Sequence, residues 1–505
     1  MRANRLIAKN IYYNIGTKFL TLILGMLLPR LFITSYGSEV NGLLSTVTQI
    51  FTYLALVEAG IGNSATNALY KPLVEKDYNT ANRVVVEARK YYRKVSVFYG
   101  LGIIAFSVLF PFLAKTTVDR TVVFLVIILQ GGANFISYYF TAVYTQLLIA
   151  DGKRFVNENI GFAAYIMSSI SKIVLIYCGF NVVAVQLVYL VVQVLKAPVL
   201  IIYCKNCYQW LNAETKPTST SYLKERGAFV VHEASNTIFN NTDVFVISTF
   251  CSFSMASVYT VYNLVFSSIT MLLAVISSSL SFVLGQGQYR DDGKLCKKYD
   301  LFSTIYGIVS FTLFSSCYIL ISPFISLYTK GVADINYIIV GLPLLFAFSN
   351  LLSSIRATGS ILINVSGNAK ATQSRTIIEA SINLITSLIF VNTWGIHGVL
   401  LGTIIALLYR SNDIIIYANK MILKRSPLIE YKNVLANTIL FGAVVTVTRY
   451  YKIHILGYLS FIGYGIIITL LLGIIFTAVS VVLNRQLYKE LWKTVFNKKE
   501  KCDEY

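Results

Sequence analysis

The sequence predicts an all-α polytopic membrane protein with about fourteen transmembrane helices. Its residues are 56% hydrophobic and only 13% charged, whereas soluble proteins carry about 25% charged residues. Apolar runs long enough to cross a bilayer as helices recur along the whole chain. These runs lack the alternation of barrel strands, and only helices or closed barrels satisfy the backbone in lipid. A helix bundle is therefore expected.

The candidate spans follow one another with short loops between them. They are residues 11–34, 42–66, 93–114, 121–149, 159–179, 183–204, 228–250, 257–284, 300–322, 338–365, 375–394, 397–419, 433–449 and 457–483. With the N-terminus inside, and with basic residues at the ends of spans counted with the adjoining loops, 32 Lys and Arg residues fall in inside segments, five in outside loops and six deeper within spans. Because basic residues accumulate in cytoplasmic loops, this split supports fourteen spans with both termini in the cytoplasm.

The first six spans resemble the next six at an offset of 212 to 215 residues. Lys196 lies near the middle of the apolar stretch 183–205, and Arg410 occupies the same place in 396–420. Both copies begin on the inside because each holds an even number of spans, which predicts a parallel repeat.

The repeat divides the chain into four predicted regions. These are an N-terminal six-helix lobe (1–210), a second six-helix lobe (211–425), two further transmembrane helices (426–484) and a cytoplasmic basic tail (485–505). The tail has apolar residues at helical spacing among lysines, so it is expected to lie on the anionic inner leaflet.

Charged residues inside the spans are the candidate functional groups, since each costs about 2.5–3.5 kcal/mol at the bilayer centre. The deep cations are Arg30, Lys172, Lys196, Arg356 and Arg410, and the acids are Glu58, Asp243, Glu379 and Asp413. Surplus positive charge suits an anionic substrate, and phosphate suits Arg and Lys best. The acids are candidates for H⁺ or Na⁺ coupling or for charge partners, and Arg410 and Asp413 lie one turn apart.

Other features exclude several functional classes. The net charge of +20 is spread over short loops, so no nucleic-acid partner is expected. The chain has no P-loop motif and no clustered histidines or nucleophile–base pattern. We expect no cofactor, no metal and no enzymatic activity, with energy supplied by an ion or substrate gradient. The uncharged polar stripes in the spans would serve equally well as interhelical contacts.

Three stretches resemble bacterial polysaccharide exporters. They are EAGIGNSATNALYKPLVEKD (58–77), FNNTDVFVIS (239–248) and IEASINLITSLIFVNTWGIHGVLLGTIIA (378–406). The resemblance is to the Wzx-type flippases of O-antigen and capsule repeat units, in the superfamily that also holds MATE drug exporters and lipid II flippases. It covers the whole chain in length, repeat and loop order, and it implies a MATE-like bundle of two six-helix lobes.

The resemblance also implies a function and partners. Such a protein flips undecaprenyl-pyrophosphate-linked oligosaccharide from the inner to the outer leaflet of the bacterial cytoplasmic membrane by alternating access. Its partners would be that lipid, membrane lipids, and polysaccharide polymerase or assembly proteins. By position, the five deep cations would contact the substrate. MATE lumens are acidic or near neutral, so the surplus of cations departs from that branch.

Two alternatives stay open at this point. A cation-coupled MATE-type exporter of small molecules would share the fold, although the sign of the buried charge argues against it. A membrane polysaccharide polymerase or ligase would be marked by a large external loop, and none is present between the predicted spans.

Overall fold

The computed structural model describes residues 20–114, 116–211, 237, 239, 241–289, 295–368, 370–450, 453, 455 and 457–489. Every regular element in these ranges is helical, which confirms the predicted fold class. The first helices are α1 (Leu20–Tyr36), α2 (Ser38–Leu54), α3 (Leu56–Val74), α4 (Tyr78–Leu113), α5 (Arg120–Ile136), α6 (Ala142–Ala150), α7 (Arg154–Tyr177), α8 (Val182–Cys207) and α9 (241–250). The others are α10 (Phe253–Tyr289), α11 (Leu295–Tyr328), α12 (Leu342–Val365), α13 (Gln373–Tyr417), α14 (Leu428–Tyr450) and α15 (Tyr458–Leu483).

The chain is a multi-pass membrane protein. Within the described residues, ten helical segments are long and apolar enough to cross a bilayer, and α1 is a shorter apolar helix. One of the ten joins α5 and α6 through a π-helical turn at Ser137–Thr141. Another is α13, which contains two of the fourteen predicted spans. The predicted span 228–250 lies mostly outside the described residues.

Helix α13 is a hairpin of two antiparallel halves that meet at Gly395. The backbone of Gly395 has φ 53° and ψ −131°, a conformation that favours glycine because it has no Cβ. Asn383 Nδ2 donates to Thr403 Oγ1 at 3.0 Å. Ser387 Oγ donates to the carbonyl of Val399 at 3.3 Å. These contacts join residues before and after the glycine in antiparallel register, so the predicted spans 375–394 and 397–419 are the two arms.

The helices form two compact units. Unit 1 is Met1–Thr260 with Gly331–Ile335, and unit 2 is Val261–Lys330 with Asn336–Tyr505. The four regions predicted from the repeat stay predictions, as do the cytoplasmic termini. Residues 212–236, 1–19 and 490–505 lie outside the described residues, so the predicted basic tail is described only as far as residue 489.

Each unit has its own apolar interior. In unit 1, fully buried aliphatic side chains of α2, α5 and α8 pack together, among them Leu43, Val126 and Val185. In unit 2, the rings of Tyr262, Phe346, Phe266 and Phe314 stack in that order, with centroid separations of 5.4, 5.6 and 6.2 Å. This stack joins α10, α11 and α12, the last of which carries one of the candidate arginines.

Helix starts follow the expected capping chemistry. The side chains of Asp77, Asp119 and Asn181 accept hydrogen bonds from backbone N–H groups in the first turns of α4, α5 and α8. The hydrogen bonds from Thr80 lower the pKa of the exposed Asp77 carboxyl below its usual value. These caps set where each membrane helix begins.

Candidate functional site

In unit 2, five charged side chains form a continuous ion-pair network. Arg356 of α12 pairs with Glu379 of the first arm of α13. Glu379 also lies 3.4 Å from Nε of Arg410 on the second arm. Arg410 Nη1 donates to Asp413 at 2.6 Å, and Arg375 Nη1 donates to the other oxygen of Asp413 at 2.5 Å. Positive and negative groups therefore alternate from Arg356 to Arg375, and the network carries one surplus positive charge.

The α13 hairpin assembles this network. Arg375 and Glu379 are four residues apart on one arm, and Arg410 and Asp413 are three apart on the other, so each pair shares a helix face. The antiparallel packing at Gly395 then places the two faces opposite each other. Nη2 of Arg410 also donates to Thr376 Oγ1 across the arms at 3.2 Å. One glycine turn thus brings together groups that are more than thirty residues apart in sequence.

The network is most enclosed at its centre. The side chains of Glu379 and Arg410 are 4% and 9% exposed, whereas that of Arg356 is 19% exposed. Buried charges persist only where they are paired and hydrogen-bonded. The two end members are more accessible, since the side chain of Arg375 is 36% exposed and that of Arg356 is 19% exposed. A planar guanidinium fork of this kind is suited to phosphate.

Sequence reasoning found four of the five members. The expected one-turn pair of Arg410 and Asp413 is present, and Glu379 contacts two of the arginines. Arg375, at the inner end of the predicted span 375–394, was not among the candidates, although its i, i+4 spacing to Glu379 could have indicated it. Whether Arg356 and Arg410 contact a substrate stays a prediction.

In unit 1, two lysines lie on the antiparallel pair α7 and α8. Lys172 Nζ is 4.7 Å from the centre of the Tyr189 ring, a cation–π contact. Lys196 Nζ lies 3.9 Å from the position that a Cβ on Gly161 would occupy. Both lysines are half-buried. Tyr189 and Lys196 are seven residues apart and share one face of α8.

These lysines differ from the arginines of unit 2 in their surroundings. Among the residues that the structure describes, neither Lys172 nor Lys196 forms an ion pair with a carboxylate. The contact to Tyr189 stabilises Lys172 but does not neutralise it. The α7–α8 pair therefore carries two cations whose charge is available to an anionic ligand.

The remaining predicted residues lie elsewhere in unit 1. Arg30 is half-buried on α1. Glu58 of α3 accepts a hydrogen bond from the hydroxyl of Tyr92 at 2.7 Å. Asp243 of α9 is 5% exposed and accepts one from the hydroxyl of Tyr259 at 2.8 Å. The two acids are thus held by tyrosines, and their predicted role in ion coupling stays a prediction.

Comparison with known proteins identifies the fold. No family model matches the sequence and no curated protein matches it, but several solved structures are similar. Lipid II flippase MurJ in an inward closed conformation aligns with a TM-score of 0.66 and 16% identity, over 95% of this chain and all of that one. An inward-facing multidrug resistance MATE transporter of the MOP superfamily aligns with a TM-score of 0.60 and 18% identity, over 79% of this chain and 94% of that one.

A third structure adds a comparison of charge. It is a MOP-superfamily transporter from Pyrococcus furiosus, described as having a binding pocket of reversed polarity, with a TM-score of 0.55 and 17% identity over 81% of this chain and 95% of that one. At these identities the likeness concerns the fold alone. The predicted MATE-like architecture is confirmed, and membership of the polysaccharide-exporter branch stays a prediction.

Proposed function

We propose that this protein is a flippase of the bacterial cytoplasmic membrane, with both termini in the cytoplasm. It moves undecaprenyl-pyrophosphate-linked oligosaccharide units from the inner to the outer leaflet by alternating access, for the synthesis of capsule, O-antigen or another exopolysaccharide. The fold shared with lipid II flippase and MATE transporters supports a transport role. The charge of the site and the three stretches that resemble polysaccharide exporters support the proposed lipid substrate.

The strongest support comes from Lys172 and Lys196. Two cations on membrane-spanning helices are costly, and no carboxylate in the described residues pairs with either one. The ammonium group of Lys172 on α7 contacts the ring of Tyr189 on α8. Lys196 lies on the same face of α8 as Tyr189, about 10 Å further along the helix axis. A diphosphate headgroup supplies the charge that these two lysines lack, and their flexible stems give them the reach to contact it.

The ion-pair network of unit 2 has a complementary part in this proposal. Its one surplus positive charge adds a second basic region, with Arg356 and Arg375 at its two ends. The same charge sign disfavours a cationic drug as substrate, because a cation would have to displace arginines from their carboxylates. The energy source is an ion gradient, with H⁺ or Na⁺ as candidates, or the substrate gradient.

Lipid binding by the purified protein tests this proposal. In nanodiscs, native mass spectrometry would compare undecaprenyl pyrophosphate with undecaprenol, which has the same chain and no charge. We expect preferential binding of the pyrophosphate. Lys172→Met and Lys196→Met should each weaken that binding by about tenfold or more, since each removes a charge-assisted contact.

The matched control is Lys71→Met, because Lys71 is an 82% exposed lysine of the same unit. It should leave the binding of both lipids unchanged. Equal binding of the charged and neutral lipids by the unaltered protein would overturn the proposed substrate class. Unchanged pyrophosphate binding by both membrane-span variants would overturn the proposed site.

A further inference from the structure

A second buried acid lies in unit 2, on helix α14. Glu430 is the third residue of this helix and is 5% exposed. Its carboxylate accepts hydrogen bonds from the hydroxyl of Tyr299 at 3.0 Å and from Nδ2 of Asn419 at 2.6 Å. The donors come from α11 and from the π-helical turn that follows α13. Glu430 is thus held in one position by two neighbouring elements.

Among the described residues, no basic side chain forms a direct ion pair with this carboxylate. Arg425 is the basic residue that contacts one of these donors, Asn419. Its guanidinium forms a two-pronged ion pair with Asp300 at 2.5 and 2.6 Å. Nε of Arg425 donates to Asn419 Oδ1 at 2.9 Å rather than to Glu430. Hydrogen bonds and the first turn of a helix offset part of the cost of a buried charge, but buried carboxylates are otherwise paired, protonated or bound to metal ions.

A cavity of about 40 Å³ adjoins Glu430 between α11, α12, α14 and α15. Its lining is rich in oxygen-bearing side chains, namely those of Thr304, Tyr306, Ser354, Thr358, Asn433 and Asn437. A volume of this size exceeds what one water molecule needs. It is sufficient for a small ion with a water molecule and far too small for an organic substrate.

One side chain that lines the cavity indicates, independently of Glu430, that the cavity binds a ligand. Asn437 lines the cavity and is 9% exposed. In the described part of the chain, its side-chain amide has no hydrogen-bond partner. It lies seven residues after Glu430, so both groups share one face of α14 together with Asn433. A buried amide without a protein partner is costly unless something in the cavity contacts it. An oxygen-coordinated ion or a water molecule satisfies that need.

We propose that this cavity binds one monovalent alkali-metal cation, held by the Glu430 carboxylate and the surrounding hydroxyl and amide oxygens. Oxygen ligands without nitrogen or sulfur are those of hard cations. A single carboxylate balances one positive charge and leaves a divalent ion half compensated. The cavity is distinct from the arginine network of α12 and α13, and it does not depend on the identity of the transported lipid.

Thermal unfolding of the full-length protein in nanodiscs tests the site. The unfolding midpoint would be measured in sodium, potassium and N-methyl-glucamine chlorides at constant ionic strength. We expect a saturable rise in the midpoint with Na⁺ or K⁺ and none with the organic cation, since a ligand that binds only the folded state stabilises it. Equilibrium binding of radioactive Na⁺ or K⁺ should approach one ion per chain.

Two variants test which residues bind the ion. Glu430→Gln keeps the shape of the side chain but removes its charge, and it should abolish the cation-dependent rise. Asn437→Leu fills the cavity and should weaken the apparent ion affinity by about tenfold or more. The control is Glu75→Gln, which alters an acid whose side chain is 57% exposed and should leave the cation response intact.

Three results would overturn this inference. The first is an unaltered protein that responds equally to all three salts and binds no radioactive ion, as expected for a water-filled cavity. The second is a stability that depends on pH through Glu430 but not on the cation, as expected for a protonated carboxyl. The third is a cation response that survives in Glu430→Gln; if that variant does not fold, an unchanged response in Asn437→Leu has the same consequence.

Discussion

Replacing Glu379 by Gln removes the central negative charge of the arginine network while keeping the size of the side chain. Glu379 pairs with Arg356 and also lies 3.4 Å from Arg410. The substitution takes the five-residue network from one surplus positive charge to two. The side chains of Glu379 and Arg410 are 4% and 9% exposed, so water screens this change poorly. Breaking a buried ion pair by removing one partner costs about 3–5 kcal/mol, and we expect a loss in that range.

The loss can be measured as the free energy of unfolding in mixed micelles titrated with a denaturing detergent. The control is Glu158→Gln, which removes an ion pair of similar geometry with Arg154 at 2.8 Å on an exposed surface. Because exposed pairs contribute about 0–1 kcal/mol, this variant should unfold almost as the unaltered protein does. If Glu379→Gln costs no more than Glu158→Gln, the buried ion pairs of Glu379 do not stabilise unit 2.

A double-mutant cycle isolates the pair itself. Arg356→Met removes the cationic partner, and the combined change with Glu379→Gln should cost less than the two single changes added together. Neighbouring charges in one network show interaction energies of about 0.5–3 kcal/mol. Additive effects would contradict the contact between Arg356 and Glu379.

Three smaller predictions concern the packing of the helices. Gly42→Ala would place a Cβ 1.7 Å from a backbone carbonyl of α10 and should lower the midpoint of thermal unfolding strongly. In the control Gly463→Ala, the new Cβ meets nothing within 4 Å, so the midpoint should rise slightly. Gly395→Ala forces a non-glycine residue to φ 53°, ψ −131° and should cost about 1–3 kcal/mol in detergent-titrated unfolding. Tyr92→Phe leaves the Glu58 carboxylate without its 2.7 Å donor and should cost about 1–3 kcal/mol in the same assay, and an unchanged stability would contradict that contact.

The helical class and the positions of many spans could be predicted because hydropathy and charge asymmetry act over whole segments. The two predicted spans 375–394 and 397–419 correspond to the arms of α13, with the break at Gly395 between them. Local spacing also predicted the pair of Arg410 and Asp413, since residues three apart on a helix are neighbours. Patterns with a period of one helical turn are therefore reliable within an element.

Contacts between elements were harder to predict. The pairing of Arg356 with Glu379 depends on the rotation and depth of two helices, which sequence spacing does not specify. Arg375 is the first residue of the predicted span 375–394, and Glu430 lies between the predicted spans 397–419 and 433–449, so neither was predicted as a buried group. In the structure, α14 begins at Leu428 and carries Glu430 into buried surroundings, whereas the side chain of Arg375 on α13 stays 36% exposed while it pairs with Asp413.

Lys196 and Arg410 occupy matching positions of the predicted sequence repeat, and they show what such a repeat can predict. Both lie on the second helix of an antiparallel pair, as their matching positions in the sequence predict. Their surroundings differ, because Arg410 contacts two carboxylates whereas Lys196 pairs with none in the described residues. Repeated position therefore predicted the location of the charge but not its compensation.

Lipid translocation in proteoliposomes tests the proposed flippase activity most directly. The protein would be reconstituted with an undecaprenyl-pyrophosphate-linked oligosaccharide, and an endoglycosidase added outside would report how much of the internal pool reaches the outer leaflet. We predict that the unaltered protein exposes that pool, that Lys172→Met with Lys196→Met slows the exposure, and that a cationic dye such as ethidium is not transported in parallel vesicles. Transport of the dye with no exposure of the lipid would contradict the proposed function and favour a MATE-type exporter.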